Sequence, residues 1–341
     1  MASQTATAQL PTATGRQIAM SQTAWKLFVP DTYQHRPADV ADLLIHFHGN
    51  PQTIWNNAEY AKLNAVVVTV NYNGLSSAYS GPFSDRELFG ALLGEALDKL
   101  RSDEDFPTSL AWDRVAVSSF SAGYGAVREI LKNEAYVSEI DVLLAADSLY
   151  ATTAKDGTPL DSQMAGFKAF ASMAQGGEKT FVFTHSQVLT HTYENTIETG
   201  DELLEHLGIA ASRVKTKGLG TLQFYRHAQS GNFQLWGARG DDGDAHLEHL
   251  RYIGEFLPLL SLAQLPTTSG ENEVDGQVSG DEFLAWQQRK SSDPNTIGNI
   301  DKRLERYEDG TSAAVVISFG LIAIVFIGFC LYLLRRRGGK N

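Results

Sequence analysis

The chain has 341 residues, 43% hydrophobic and 20% charged, which is an ordinary globular composition with room for one large domain plus appendages or two modest domains. A net charge of -12 excludes a nucleic-acid partner, which needs a basic face to displace counterions. With Cys330 as the single cysteine there is no disulfide framework and no cysteine-based metal site.

The opening stretch "MASQTATAQLPTATG" has neither a cationic start nor an apolar core; residues 1–15 read as a disordered polar tail, with "TATAQ" as the small-residue end of a cleaved signal the alternative. Residues 16–262 alternate strand-like and helix-like patterns. "QIAM", "AWKLFV", "DLLIHF", "AVVVTVNY", "RVAVSS", "DVLLAA", "TFVFTH" and "FQLWGA" are the strands, separated by helical stretches such as Arg86–Leu100 and Ala122–Asn133. Their apolar runs are continuous rather than alternating, which marks strands buried on both faces. The expected architecture is α/β, a mostly parallel sheet flanked by helices.

In chain order, the first chemistry-bearing segment is "LLIHFHGN", a strand running into His48, Gly49 and Asn50. The second is "DRVAVSSFSAGYGAVREIL", a strand, a serine between small residues, and a helix. "SFSAG", Ser119 to Gly123, fits the nucleophile-elbow pattern with serine in place of its first glycine. A strained strand-to-helix turn lifts the Ser121 hydroxyl above the sheet edge, and small neighbours are needed because the backbone packs tightly there. The third is "VLLAADSLYA", where a buried strand ends at Asp147, a carboxylate costly to bury without a partner. The last is "GDDGDAHLEHLRYIGEFL", which places His246 on a helix after the final strand.

Together these segments resemble the α/β-hydrolase superfamily, over about two-thirds of the chain. The resemblance implies a serine hydrolase with Ser121 as nucleophile, His246 as general base and Asp147 as the acid, without a cofactor for catalysis. It also implies an oxyanion hole made by the backbone N–H groups of Asn50, after the His-Gly pair, and Ala122, after the nucleophile. Asp147 stands one strand earlier than the position more common in the superfamily. The stretch "FVFTHSQVLTHTYENT" after the later strand offers no aspartate and its first acid is Glu194, so Asp241, Asp242 and Asp244 remain the alternatives. Asp244 also suits a helix N-cap. His46 and His48 are read as shaping their loop by hydrogen bonds, and His249 as facing helix packing or solvent. The loops "YNGLSSAYSGPFSD" and "SLYATTAKDGTPLDSQMAG" are expected to line the mouth, with Tyr72, Tyr79 and Tyr150 as contacts. A carboxylic ester, small or polymeric, is the expected substrate. A peptidase or amide hydrolase with the same triad, or a non-catalytic binding module on this scaffold, are the other readings.

Residues 263–270 form a polar linker. It leads into residues 271–291, whose loop has Glu271, Glu273 and Asp275 at positions one, three and five, Gly276 at six, Gln277 at seven, Ser279 at nine and Glu282 at twelve. That is the spacing of an EF-hand calcium loop, and the segment resembles a dockerin-like repeat. The departure is glutamate at positions one and three, where the shorter aspartate is usual. Residues 292–312 read as a charged stalk. Residues 313–334, "AAVVISFGLIAIVFIGFCLYLL", carry no charge, and at about 1.5 Å per residue they span the roughly 30 Å hydrocarbon core as a single transmembrane helix. The arginines that open residues 335–341 favour that end in the cytoplasm and the hydrolase domain outside; a tail-anchored arrangement with the domain in the cytoplasm is the alternative.

Overall fold

The computed structural model describes residues 10–266. The elements run in the order β1 (Gly15–Ala19), β2 (Trp25–Pro30), β3 (Val40–Phe47), α1 (Pro51–Tyr60), β4 (Ala65–Val70), α2 (Ser76–Phe83), α3 (Leu88–Arg101) and β5 (Ala111–Phe120). A short 3-10 turn, Ser121–Gly123, leads into α4 (Tyr124–Ile130) and α5 (Glu134–Glu139). Then follow β6 (Val142–Ala146), α6 (Asp161–Gln175), β7 (Thr180–His185), α7 (Thr196–Leu207), β8 (Ser212–Lys217), β9 (Gln223–Ser230), β10 (Phe233–Ala238) and α8 (Gly243–Arg251).

The strands form one ten-stranded sheet in the order β1-β2-β4-β3-β5-β6-β7-β10-β9-β8. The pairs from β4 through β10 are parallel, and the outer strands on both sides run antiparallel. All eight strands read from apolar runs are present. Each residue of β4, β6, β7 and β10 is buried, as expected where helices cover both faces. Alternate side chains feed two cores. Leu43, Ile45 and Phe47 of β3 pack with Leu92, Val127, Phe167 and Phe170 under α3, α4 and α6. Leu44 packs on the other face with Ile54 and Trp55 of α1 and with Leu250 and Phe256 around the end of α8. Each buried Phe or Leu contributes about 1.5–3 kcal/mol relative to exposure.

Several expectations need correction. The pair β8 and β9 is absent from the sequence reading, because "SRVKTK" and "QFYRHAQS" lack apolar runs; they form a polar antiparallel edge, β8 being mostly exposed. The loop "YNGLSSAYSGPFSD" contains helix α2, and "SLYATTAKDGTPLDSQMAG" runs into α6. The helix expected over Ala122–Asn133 is α4 alone, closing at Ile130 before the separate turn of α5. The domain also reaches beyond 16–262. Ala13 is buried, its N–H donating to Asn56 Oδ1 at 2.9 Å, and Ala263 and Leu265 exchange backbone bonds with Asn64 and Lys62. The calcium-loop residues, the stalk and the apolar run 313–334 lie outside the described residues. Among the described residues no helix is long and apolar enough to cross a membrane, and no group of three or more His, Cys, Asp or Glu side chains could hold a metal ion.

Candidate active site

Strand register assembles the site at one edge of the sheet. In the β3–β5 ladder Phe47 pairs with Ser119, in β5–β6 Phe120 pairs with Ala146, and in β6–β7 Ala146 pairs with Thr184. The residues just past these pairs are His48, Ser121, Asp147 and His185, so the carboxyl ends of adjacent strands bring them together. Three of them, His48 (φ 70), Ser121 (φ 46) and Asp147 (φ 44), lie in the left-handed region. That conformation costs a non-glycine residue about 1–3 kcal/mol. Such a row of strained residues is held only because the surrounding structure enforces it.

The enforcement at Ser121 is steric. A Cβ on Gly123 would sit 2.2 Å from Phe47 O, and one on Gly125 2.3 Å from Ser76 O, so α4 can begin this close to β3 and α2 only with glycine. Ser119, which replaces the first glycine of the elbow pattern, is fully buried with its Oγ 2.9 Å from Ser148 Oγ. Ser148 Oγ also lies 2.9 Å from Ser121 O, tying the elbow to the turn that carries Asp147.

Asp147 is fully buried, and three groups bond its carboxylate. His246 Nδ1 lies 2.7 Å from Oδ2. Ser186 N–H donates to Oδ1 at 3.0 Å, and Thr196 Oγ1 donates to Oδ1 at 2.5 Å. Burial pushes this carboxyl up, but His249 and the bonds from His246 and Thr196 outweigh it and hold the group well below the usual carboxylate range. A carboxylate only accepts, so His246 carries its proton on Nδ1 and presents Nε2 as an acceptor. The imidazole is fixed on its face by Phe120, the residue before Ser121, with ring centroids 4.6 Å apart at 28°. The hydrogen bonds of the described residues include the His246–Asp147 pair and none between Ser121 Oγ and His246. Such contacts are often long before substrate binds.

The two expected oxyanion donors stand on the segments that follow the adjacent strands β3 and β5. Asn50 ends the His-Gly loop and N-caps α1, its side chain accepting from Thr53 N–H at 3.3 Å. Its own N–H, like that of Ala122, has no hydrogen-bond partner among the described residues. The loop is shaped by histidines, as expected. His46 is fully buried, with Nε2 donating to His48 O at 2.9 Å and Nδ1 accepting from Ser118 Oγ at 2.9 Å, and burial drops its pKa to about 3. His48 Nδ1 lies 2.8 Å from Tyr79 Oη. Tyr79 is therefore not a mouth residue: it is fully buried and also accepts from Tyr72 N–H at 3.0 Å. Tyr150 is half-buried, its ring tilted against Tyr124 at 5.4 Å and edge-on to the exposed Tyr193 at 5.7 Å.

The alternative acids are elsewhere employed. Asp242, not Asp244, is the N-cap of α8, accepting from Ala245 N–H at 2.9 Å. Asp244 is exposed and pairs with Arg251 at 3.1 Å. Asp241 is exposed. His249 does not face solvent; it is fully buried, one turn beyond His246, with Nδ1 2.7 Å from Thr184 Oγ1. That hydroxyl accepts from Asp147 N–H at 3.1 Å. Thr184, Ser186 and Thr196 escaped the sequence reading because threonine and serine after a strand have no distinguishing spacing. At its far end α8 is anchored by the buried Asn57, whose Nδ2 donates to Arg251 O at 3.0 Å and whose Oδ1 accepts from Gly254 N–H at 2.8 Å.

No protein-family model matches this sequence, and no curated protein matches it. Among solved structures, a feruloyl esterase module from Clostridium thermocellum is similar at 12% identity, covering 75% of this chain and 91% of its own, with a TM-score of 0.42. A poly(3-hydroxybutyrate) depolymerase from Bordetella parapertussis is similar at 13% identity, with 72% and 90% covered and a TM-score of 0.41. A thermophilic carboxylesterase cloned from a metagenomic library is similar at 14% identity, with 75% and 91% covered and a TM-score of 0.43. At TM-scores below 0.5 these likenesses add no weight to the geometry.

Proposed function

We propose that this chain is a serine hydrolase of the α/β-hydrolase type that cleaves carboxylic esters. The observation that carries the reading is the buried Asp147 carboxylate bound to His246 Nδ1 at 2.7 Å, beside the strained turn at Ser121. With Nδ1 protonated, His246 Nε2 takes the Ser121 hydroxyl proton as Oγ attacks the ester carbonyl. The new C–O bond forms as the carbonyl π electrons move to oxygen, and the oxyanion accepts from Asn50 N–H and Ala122 N–H. Collapse expels the alcohol, which receives the proton from Nε2, leaving an acyl-Ser121. Water then repeats the sequence, its proton going to Nε2 and its oxygen to the acyl carbon, and Ser121 leaves with the returned proton. Asp147 stays ionised throughout and stabilises the transient imidazolium.

The order along the chain, serine, then aspartate, then histidine, supports the assignment. So does the location of all three at the carboxyl ends of the sheet. Sequence alone supports two further parts of the reading: residues 313–334 as a membrane anchor with the catalytic domain outside the cytoplasm, and residues 271–282 as a calcium loop.

The test is Ser121→Ala, assayed on short p-nitrophenyl esters and for labelling by a fluorophosphonate. A loss of at least about 10³-fold in kcat with no label is expected. Turnover within a few-fold of the parent excludes the mechanism.

A further inference from the structure

We infer that His185 is a positioning residue for Asp147, locking the turn after β7 so that the Ser186 N–H points at the carboxylate. This rests on the triad reading above and extends it to residues with no part in the bond-making steps.

The strand register puts three residues in one row across the sheet: His185 of β7 pairs with Gly237 of β10, and Gly237 pairs with Arg226 of β9. Gly237 is the middle member, and a Cβ there would sit 2.6 Å from His185 Nε2 and 2.7 Å from Arg226 Cγ. The two long side chains therefore meet over the glycine. Arg226 Nε donates to His185 Nε2 at 2.7 Å, and Arg226 is itself held by Asp201 Oδ1 on Nη1 at 2.5 Å.

A guanidinium only donates, so His185 Nε2 must be the acceptor and the ring proton must sit on Nδ1. Nδ1 then donates to Ser186 O at 2.7 Å. That bond closes from the side chain of one residue onto the carbonyl of the next, which restrains the backbone torsions between them. The same turn is tied on its far side by Gln187 N–H donating to Gly240 O at 2.7 Å. With both sides held, the Ser186 N–H has one direction left, toward Asp147 Oδ1 at 3.0 Å. His185 is fully buried, and burial together with the Arg226 charge drops its pKa to about 3, so a single neutral tautomer is present at working pH.

The chain of contacts thus runs from the exposed Asp201, through the mostly buried Arg226 and His185, to the acid of the triad. A misplaced Asp147 tilts His246, and displacements of the order of 1 Å at reacting groups cost about 10²-fold in rate.

The experiment compares His185→Phe with His185→Asn in the full chain, measuring kcat, KM and the thermal midpoint on p-nitrophenyl butyrate, with Ser121→Ala alongside. Phenylalanine keeps the ring volume and deletes both hydrogen bonds. A loss in kcat of about 10- to 100-fold with KM within about threefold is expected. Asparagine places an amide N–H near the Nδ1 position and should recover kcat to within about threefold of the parent. A packing role alone predicts the reverse ranking, since asparagine leaves the larger void. His185→Phe turning over like the parent, or both variants falling alike, overturns the inference. If His185→Phe does not fold, His185→Gln keeps an acceptor near the Nε2 position for Arg226 Nε and deletes the bond to Ser186 O. A lowered kcat at unchanged KM then supports the inference and an unchanged kcat overturns it. Activity retained in Ser121→Ala overturns the triad reading itself, and this inference with it.

Discussion

Asp147→Asn isolates the role proposed for this carboxylate, because the environment dictates how the amide must sit. Two donors, Ser186 N–H at 3.0 Å and Thr196 Oγ1 at 2.5 Å, converge on Oδ1. The asparagine carbonyl oxygen must take that place, since turning the NH2 toward them would set donor against donor in a site with no exposure. The NH2 is then left facing His246 Nδ1, which can only answer as an acceptor. The imidazole proton moves to Nε2, and the nitrogen facing Ser121 no longer accepts. In serine hydrolases with this arrangement the wrong tautomer costs about 10⁴ in kcat, equivalent to about 5.5 kcal/mol of transition-state stabilisation. Steady-state kcat on a short p-nitrophenyl ester measures the loss, and the near-identical shape of the two side chains keeps the fold. Asp244→Asn is the control: its carboxylate is 75% exposed in an ion pair with Arg251, and kcat should stay within about twofold. Asp147→Asn within tenfold of the parent, or an inactive Asp244→Asn, would refute the reasoning and move the acid to the turn before His246.

Acid should unfold the domain early. Burial drops His46 and His185 to about 3 and His227 and His249 to about 4. Their folded values lie below the unfolded value near 6.5, so the unfolded chain binds more protons in between and stability falls as pH drops through that window. One pH unit below 6.5 the four together cost roughly 5–6 kcal/mol, comparable to the whole stability of many domains. A urea midpoint that stays constant from about pH 7.5 to about pH 5.5 contradicts this. Asp147, held below its usual range, adds a further loss only at lower pH, as it is forced to take up a proton. Gly123→Ala forces a Cβ to within 2.2 Å of Phe47 O; a destabilisation of roughly 1–3 kcal/mol and a fall in kcat are expected, by thermal melt and ester assay. Asn57→Leu strands the Arg251 carbonyl and the Gly254 N–H at the end of α8, costing roughly 1–3 kcal/mol for each group left unpaired, which urea denaturation reads.

Continuous apolar runs suffice to announce strands buried on both faces, so "AVVVTVNY" and "DVLLAA" were legible without a fold. The elbow was legible too, because small residues around Ser121 are a local steric demand of a tight strand-to-helix turn. The edge pair β8 and β9 was not, since an antiparallel edge facing water on one side needs no apolar run, and nothing in "SRVKTK" separates it from a solvated loop. The same limit applies to the site. Sequence order made Asp147 one candidate among four, and the choice turns on which carboxylate reaches His246. Chain distance cannot decide that: Asp242 and Asp244 are near His246 in sequence yet serve a helix cap and a surface pair, while Asp147 arrives from 99 residues away. Nor could any pattern single out Ser186, Thr196, His185 and Arg226. Their hydrogen bonds join residues on separate strands and helices, and such pairings exist only once the sheet register has brought β6, β7, β10 and β9 side by side.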